Sequence, residues 1–138
     1  MARKQYFLTI DSGGSNIKCA IFDSEGSELA SVSAVPETSS PRDGYVERSA
    51  DAVWDCCCSV ICAALARSGL ESRDISAISL CGYGGGICFC DSSGKAVSPV
   101  IVSTDTRAAG ELAALKNSGR ADEIFAISHQ QPWEGQAA

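Results

Sequence analysis

Tyr6-Phe7-Leu8-Thr9-Ile10-Asp11-Ser12-Gly13-Gly14-Ser15-Asn16-Ile17-Lys18-Cys19-Ala20-Ile21-Phe22 is the stretch that decides the fold. Tyr6 to Ile10 is short, apolar and β-prone, which predicts a buried strand. Asp11 to Ser15 is polar and glycine-rich and predicts a tight turn. Ile17 to Phe22 predicts a second strand. Asp23 to Gly26 supplies another turn, and Glu28 to Val35 a third strand. The chain therefore opens as a meander of three antiparallel strands. A Rossmann unit, which alternates strand and helix from its start, does not fit.

Further along, Pro36 to Gly44 predicts a loop, and Ser49 or Asp51 offers a helix N-cap. Val53, Trp54, Cys57, Cys58, Ile61 and Leu65 recur at helical spacing, and Ser68-Gly69 is a glycine stop. Ile75 to Cys81 predicts a buried strand entering Gly82-Tyr83-Gly84-Gly85-Gly86. Ile87 to Cys90, the turn Asp91 to Gly94, and Val97 onward predict a hairpin. Val100 to Val102 leads into Ser103-Thr104-Asp105-Thr106-Arg107, followed by helices over Ala108 to Leu115 and Ala121 to Ala126. The order β-β-β-α-β implies a mixed sheet with helices against it.

Composition narrows the function classes. With 138 residues the chain suits one compact domain. A net charge of −6 supplies no general field for nucleic acid or an anionic membrane, so phosphates must be bound by local loop geometry. No apolar span is long enough to cross a bilayer. Arg3 and Lys4 resemble the start of a signal peptide, but Asp11 breaks the following apolar stretch early, so a cytoplasmic protein is expected. The eight cysteines sit mostly inside apolar runs and form no C-x-x-C pair, which predicts small core fillers rather than a disulfide or zinc framework. Cys58 and Cys62, four apart on a helix, are the pair with metal-ligand spacing.

Several segments carry candidate chemistry. In Asp11-Ser12-Gly13-Gly14-Ser15-Asn16-Ile17-Lys18, adjacent glycines let backbone amides approach an anion. Ser15 adds a hydroxyl, Lys18 a positive charge, and Asp11 a carboxylate for Mg2+. These are the parts phosphoryl transfer needs, although the same residues also make a plain hairpin turn. Gly82 to Gly86 follows a strand, where ligands bind in α/β sheets, and Tyr83 can stack on a sugar; a flexible turn is the alternative. Asp105 and Arg107 can bind hydroxyls or pair with each other. Glu47 and Arg48 can touch a polar ligand, but a structural loop setting the helix entry is the favoured reading. Trp133 can wall a sugar face or pack in a core, and His129 has no positioned partner.

Taken together these segments resemble a family. Asp11-Ser12-Gly13-Gly14-Ser15 with Lys18 resembles the D-x-G-(T/G)-(T/S)-x-x-(R/K) phosphate motif of the sugar kinase, actin and heat-shock-protein superfamily. Gly44-Tyr45-Val46-Glu47-Arg48 with Trp54 resembles the G-(W/Y)-x-E-(Q/R)…W segment of FGGY carbohydrate kinases. Ala77 to Gly84 is similar to their strand leading to the sugar, and Pro99 to Ala108 to their P-x-I-x-W-x-D-x-R-A segment. The resemblance implies an α/β, RNase H-like mixed sheet with flanking helices, present here as a partial amino-terminal domain over residues 1–138, the ATP-binding carboxyl-terminal domain lying outside it. It implies ATP-dependent phosphorylation of a sugar, with Asp11, Ser12, Gly13, Gly14, Ser15 and Lys18 facing ATP phosphates and Asp11 holding Mg2+. Tyr83, Gly84, Gly85, Asp105 and Trp133 would lie beside the sugar. Ser103 and the glycines at 84 and 85, where many relatives carry tryptophan and a polar pair, resemble the L-xylulose and xylulose kinase branch and imply a pentulose.

The family's aspartate base lies beyond the matched region, so no catalytic residue is assigned, and the isolated chain is expected to be inactive. A sugar partner, neither nucleic acid nor membrane, and a homo-oligomer of the full-length enzyme complete the expectation. The alternative is a non-catalytic sugar-binding or interaction module. A ROK-type glucokinase lacks the Gly44-to-Arg48 segment, and a cysteine-ligated activating ATPase needs an iron–sulfur cluster.

Overall fold

Alternation along the chain builds the first sheet. In the computed structural model, which describes residues 4–135, β1 (Tyr6–Ser12), β2 (Ile17–Asp23) and β3 (Glu28–Ala34) are consecutive antiparallel strands. Arg3 of the basic pair lies outside the described residues. Side chains alternate across a strand, so Leu8 and Ile10 share one face and stand opposite Ile21 and Cys19 of β2. The expected meander is present. Asp11 and Ser12 belong to β1 rather than to the turn, which shortens to residues 13–16.

The described residues form two compact units, 4–37 with 51–84, and 38–50 with 85–135. In the first, β5 (Ile75–Gly82) pairs parallel to β1, giving the order β3-β2-β1-β5. The mixed sheet expected from the element order is therefore formed. Helix α1 (Ala50–Ser68) covers one face. Val60 and Ala64 are fully buried against Leu8, Ile17, Cys19 and Ile21, with Val53, Cys56, Cys57, Ile61 and Leu65 packed around them. Arg67 Nη1 donates to the Ser31 carbonyl at 2.8 Å and ties the last turn of α1 to β3. The glycine stop holds: Gly69 has φ +71° and donates to the Leu65 carbonyl at 3.1 Å.

Two expectations in this unit are corrected. Trp54 is 69% exposed; the buried stripe of α1 is phased on Val53, Val60 and Ala64 instead. β5 is not buried: Ile78 and Leu80 are 66% and 70% exposed. The register sets them opposite Leu8 and Ile10, on the face that α1 covers elsewhere, but β5 is the sheet's edge and lies past the helix's cover. An apolar run sets which face a residue takes; burial needs a second element over it.

In the second unit β4 (Glu47–Arg48) pairs antiparallel with β6 (Val100–Ile101). The predicted hairpin exists only as single bridges, Cys90 with Ala96, while Ile87 pairs with Ile101. Its turn is tight: Gly94, at φ +84°, donates to the Asp91 carbonyl at 3.0 Å. Helices α2 (Ala109–Asn117) and α3 (Arg120–Ser128) follow, with Leu112 and Ala121 buried. No helix among the described residues is long and apolar enough to cross a membrane. The cysteine expectation holds for Cys19, which is buried, and in part for Cys56, Cys57 and Cys58. It fails for Cys62, Cys81, Cys88 and Cys90, which are exposed: Cys62 lies on the solvent side of α1, whose other face carries Val60 and Ile61 into the core, and the other three lie beside Leu80 or Phe89, themselves exposed.

Candidate functional site

The carboxyl ends of the parallel strands β1 and β5 lie side by side, Asp11 opposite Cys81 and Ser12 opposite Gly82. Tyr83 extends this ladder by donating its amide to the Ser12 carbonyl at 3.2 Å. Across the β1–β2 ladder Asp11 stands directly opposite Lys18, both exposed. Alternation puts this pair on the sheet face away from α1, since Ile10 and Cys19 beside them point into the core. An acid and a cation thus flank one rim of the β1–β2 turn.

The turn itself uses one of its glycines structurally. Gly13 donates its amide to the Asn16 carbonyl at 3.0 Å, and a Cβ at Gly13 would come within 3.0 Å of that oxygen. The Gly13 amide is therefore spent on closing the hairpin and is not among the anion donors expected from the sequence. The amides of Gly14 and Ser15 donate to no other described residue. With the Ser15 hydroxyl they are among the donors this turn can offer an anion.

Mg2+ takes hard oxygen ligands and is commonly held by one or two carboxylates together with substrate phosphates and water. Asp11 fits that role. Its carboxylate is exposed, with Oδ1 3.9 Å from the position a Cβ at Gly13 would take, so it leans over the turn. Among the described residues no three acidic, histidine or cysteine side chains are placed to hold a metal ion together, so a metal here would depend on phosphate oxygens for further ligands.

Gly82 and Gly84 have neither a positive φ nor a neighbour that a Cβ would strike. Backbone strain does not demand glycine at either position; what its absence of side chain leaves is open space beside Tyr83.

The second unit contains a network that the sequence presented as two separate segments. Gly44 turns the chain at φ +77°, and its carbonyl accepts the Thr106 amide at 2.8 Å. The Val46 amide donates to Asp105 Oδ2 at 2.6 Å, and the Val102 amide donates back to the Val46 carbonyl. Arg107 grips Asp105 with two parallel bonds of 2.8 Å, from Nε to Oδ1 and from Nη2 to Oδ2. Its Nη2 also reaches Glu47 Oε1 at 2.7 Å, and its guanidinium lies 3.9 Å from the centre of the Tyr45 ring. The Arg107 amide adds a further bond to Asp105 Oδ1 at 3.0 Å. The Asp105 oxygens thus accept at all of the roughly four sites a carboxylate offers.

Asp105 is 1% exposed, and Arg107 beside it, with the Val46 amide, holds its carboxyl down at about 2. Of the two readings open for Asp105 and Arg107, this geometry realises the ion pair. Arg48 is buried and donates Nε to Thr38 Oγ1 at 2.9 Å, in keeping with the structural reading of that loop. Trp133 is half-exposed, and His129, exposed, ends α3 in a left-handed backbone conformation (φ +56°) with its ring edge-on to Phe125.

Residues 6–138 match the amino-terminal domain model of the FGGY family of carbohydrate kinases. The chain belongs to the FGGY family. The L-xylulose/3-keto-L-gulonate kinase of Escherichia coli K12 is 33% identical to this FGGY domain over 132 residues, covering 95% of this chain and 26% of that protein. Glycerol kinase 1 of Pseudomonas aeruginosa is 33% identical over 122 residues, covering 88% and 25%. The crystal structure of a xylulose kinase from Brucella ovis superposes with a TM-score of 0.83 at 24% identity, covering 96% of this chain and 27% of that one. The chain thus spans about a quarter of the length of the relatives it matches. The mixed sheet and helices of the FGGY domain are those of the RNase H-like sugar-kinase fold.

The link between Gly44–Glu47 and Asp105–Arg107 in this FGGY domain was not legible in the sequence. The available signal was opposite charge, Glu47 against Arg107, but sixty residues apart it carries no pairing information.

Proposed function

We propose that this FGGY domain contributes the phosphate-facing turn and part of the sugar-facing surface of an ATP-dependent kinase that phosphorylates a pentulose, with L-xylulose and xylulose as leading acceptors. The observation that carries this reading is Asp11 standing opposite Lys18 at the carboxyl end of β1, beside a turn whose Gly14 and Ser15 amides are without a partner among the described residues. Lys18, the two amides and the Ser15 hydroxyl would hold phosphate oxygens. Asp11 would hold Mg2+, which when bound neutralises charge on the phosphates. Tyr83, Gly84 and Gly85 would meet the sugar, the glycines leaving room for its hydroxyls, and Trp133 would offer a ring face to it. Asp105 would act by fixing the Tyr45–Glu47 loop through Arg107. Similarity to kinases named for L-xylulose, over nearly the whole chain, supports a pentulose acceptor. A cytoplasmic location and, for the complete enzyme, a homo-oligomer belong to the same proposal.

The chain alone is proposed to be inactive, because the aspartate base implied by the family resemblance has no counterpart assigned within it. A second reading is a non-catalytic sugar-binding or interaction module. The exposed Ile78 and Leu80 on β5 favour it, since such a face suits a covering polypeptide.

The test is a titration of the 138-residue chain, followed by amide NMR, with Mg2+ and inorganic pyrophosphate and then with L-xylulose, D-xylulose or glycerol. Pyrophosphate is expected to shift the amides of residues 13–18, and a pentulose those of Tyr83 to Gly85. Undisturbed amides at the turn would remove the phosphate assignment. Steady sugar-dependent ATP consumption by the pure chain would overturn its proposed inactivity.

A further inference from the structure

The segment Ile87-Cys88-Phe89-Cys90 carries two thiols that the kinase reading does not use. Residues two apart on an extended chain point to the same side, and the Cys88 and Cys90 sulfurs lie 3.7 Å apart. Both cysteines are exposed and in no disulfide, and their thiols are hydrogen-bonded to each other. The backbone that presents them is pinned at both ends. Ile87 exchanges two hydrogen bonds of 2.9 Å with Ile101, the Phe89 carbonyl accepts the Val97 amide at 2.9 Å, and Asp91 donates to the Lys95 carbonyl at 2.9 Å.

A sulfur separation of 3.7 Å is far longer than a disulfide bond of about 2.05 Å. It matches the bite of a tetrahedral ion: with Zn–S bonds of about 2.3 Å, two sulfurs on one tetrahedral edge are about 3.8 Å apart. We propose that Cys88 and Cys90 form a bidentate thiolate site for a thiophilic divalent ion of the Zn2+ or Cd2+ class, with water or small anions filling its remaining positions. Binding replaces two S–H bonds by two metal–sulfur bonds and releases two protons, with no change of oxidation state. Thiolates favour soft ions, whereas Mg2+ demands oxygen ligands, so this site is chemically separate from the carboxylate at Asp11.

The test uses the reduced full chain and titration with Cd2+ alone, read by sulfur-to-cadmium charge-transfer absorption and by proton release. One ion is expected to bind tightly with two protons released, and excess Mg2+ is expected not to displace it. Cys88→Ser or Cys90→Ser is expected to lower affinity about 100-fold, the order lost when an intramolecular second attachment is removed. The double variant is expected to lose the site, while Cys62→Ser/Cys81→Ser keeps it. Full affinity in the Cys88/Cys90 double variant, or equal loss in the Cys62/Cys81 variant, would overturn the proposal. X-ray absorption of the Zn2+-loaded wild-type chain gives an answer that needs no variant to fold: two sulfur neighbours are expected, and none or one would refute it.

Discussion

Arg107 stacks its guanidinium 3.9 Å from the centre of the Tyr45 ring while the same group holds Asp105 and Glu47. One side chain thereby joins the segment that turns at Gly44 to the segment that follows β6. Arg107 is a quarter exposed, but its main partner Asp105 is buried, so the pair is shielded on one side. A planar fork suits this position, because lysine can supply neither the two parallel bonds nor the stacked face.

Asp105→Asn is expected to lower the stability of the folded chain by about 2 kcal/mol, through loss of charge-assisted bonds to Arg107 and Val46. The pH dependence follows from the same contacts. The folded carboxyl titrates at about 2, against an ordinary value of 3.8, so the folded state binds fewer protons between these values. Its contribution is complete above the ordinary value and is lost as pH falls toward about 2. Thermal melts over this acid range should show a steeper fall in Tm for wild type than for Asp105→Asn.

Gly44 and Gly26 share a left-handed backbone, at φ +77° and +84°. A Cβ at Gly44 would lie 3.0 Å from Thr106 Oγ1, whereas one at Gly26 meets nothing within 4 Å. Gly26→Ala should cost about 1 kcal/mol of conformational strain, and Gly44→Ala about 2 kcal/mol because Thr106 must also move. Urea unfolding of the two variants checks the order.

Lys18 is exposed, so Lys18→Ala should leave the melting curve unchanged. If the β1–β2 turn holds phosphate, the same variant should weaken Mg2+–pyrophosphate binding by about tenfold, the scale of one charge-assisted bond. Calorimetric titration at fixed ionic strength measures it, and unchanged affinity would count against the phosphate assignment.

The two tryptophans separate a sugar contact from a bystander. Trp133 is 54% exposed and Trp54 is 69% exposed on α1. A fluorescence change on adding L-xylulose should survive in Trp54→Phe and vanish in Trp133→Phe. The opposite pattern would remove Trp133 from the sugar site.

The thiols should divide by exposure. Cys62, Cys81 and Cys90 are exposed and should react promptly with an aromatic disulfide reagent, and Cys88, exposed but with its thiol pushed up by the hydrogen bond to Cys90, should follow them. Cys19 is fully buried, and burial pushes its thiol up from the ordinary value, so it should react only on unfolding. Mass spectrometry of time points resolves the order.

Local chemistry made much of this chain legible without coordinates. Short β-prone runs between polar turns identified β1, β2 and β3, glycine at 69 marked the end of α1, and the polar turn with Asp11 and Lys18 marked the candidate phosphate site. Each of these rests on residues near one another in the chain, where propensity and turn sterics act directly. Tertiary structure decided what depends on which surfaces meet. The phase of α1 left Trp54 in solvent, and the edge position of β5 left Ile78 and Leu80 uncovered. Asp105 became a saturated anchor because the Val46 amide, fifty-nine residues earlier, adds a fourth bond to the three that Arg107 supplies. Composition and spacing can state that an aspartate wants partners; only the packed chain determines whether those partners are protein groups or are left for a ligand to supply.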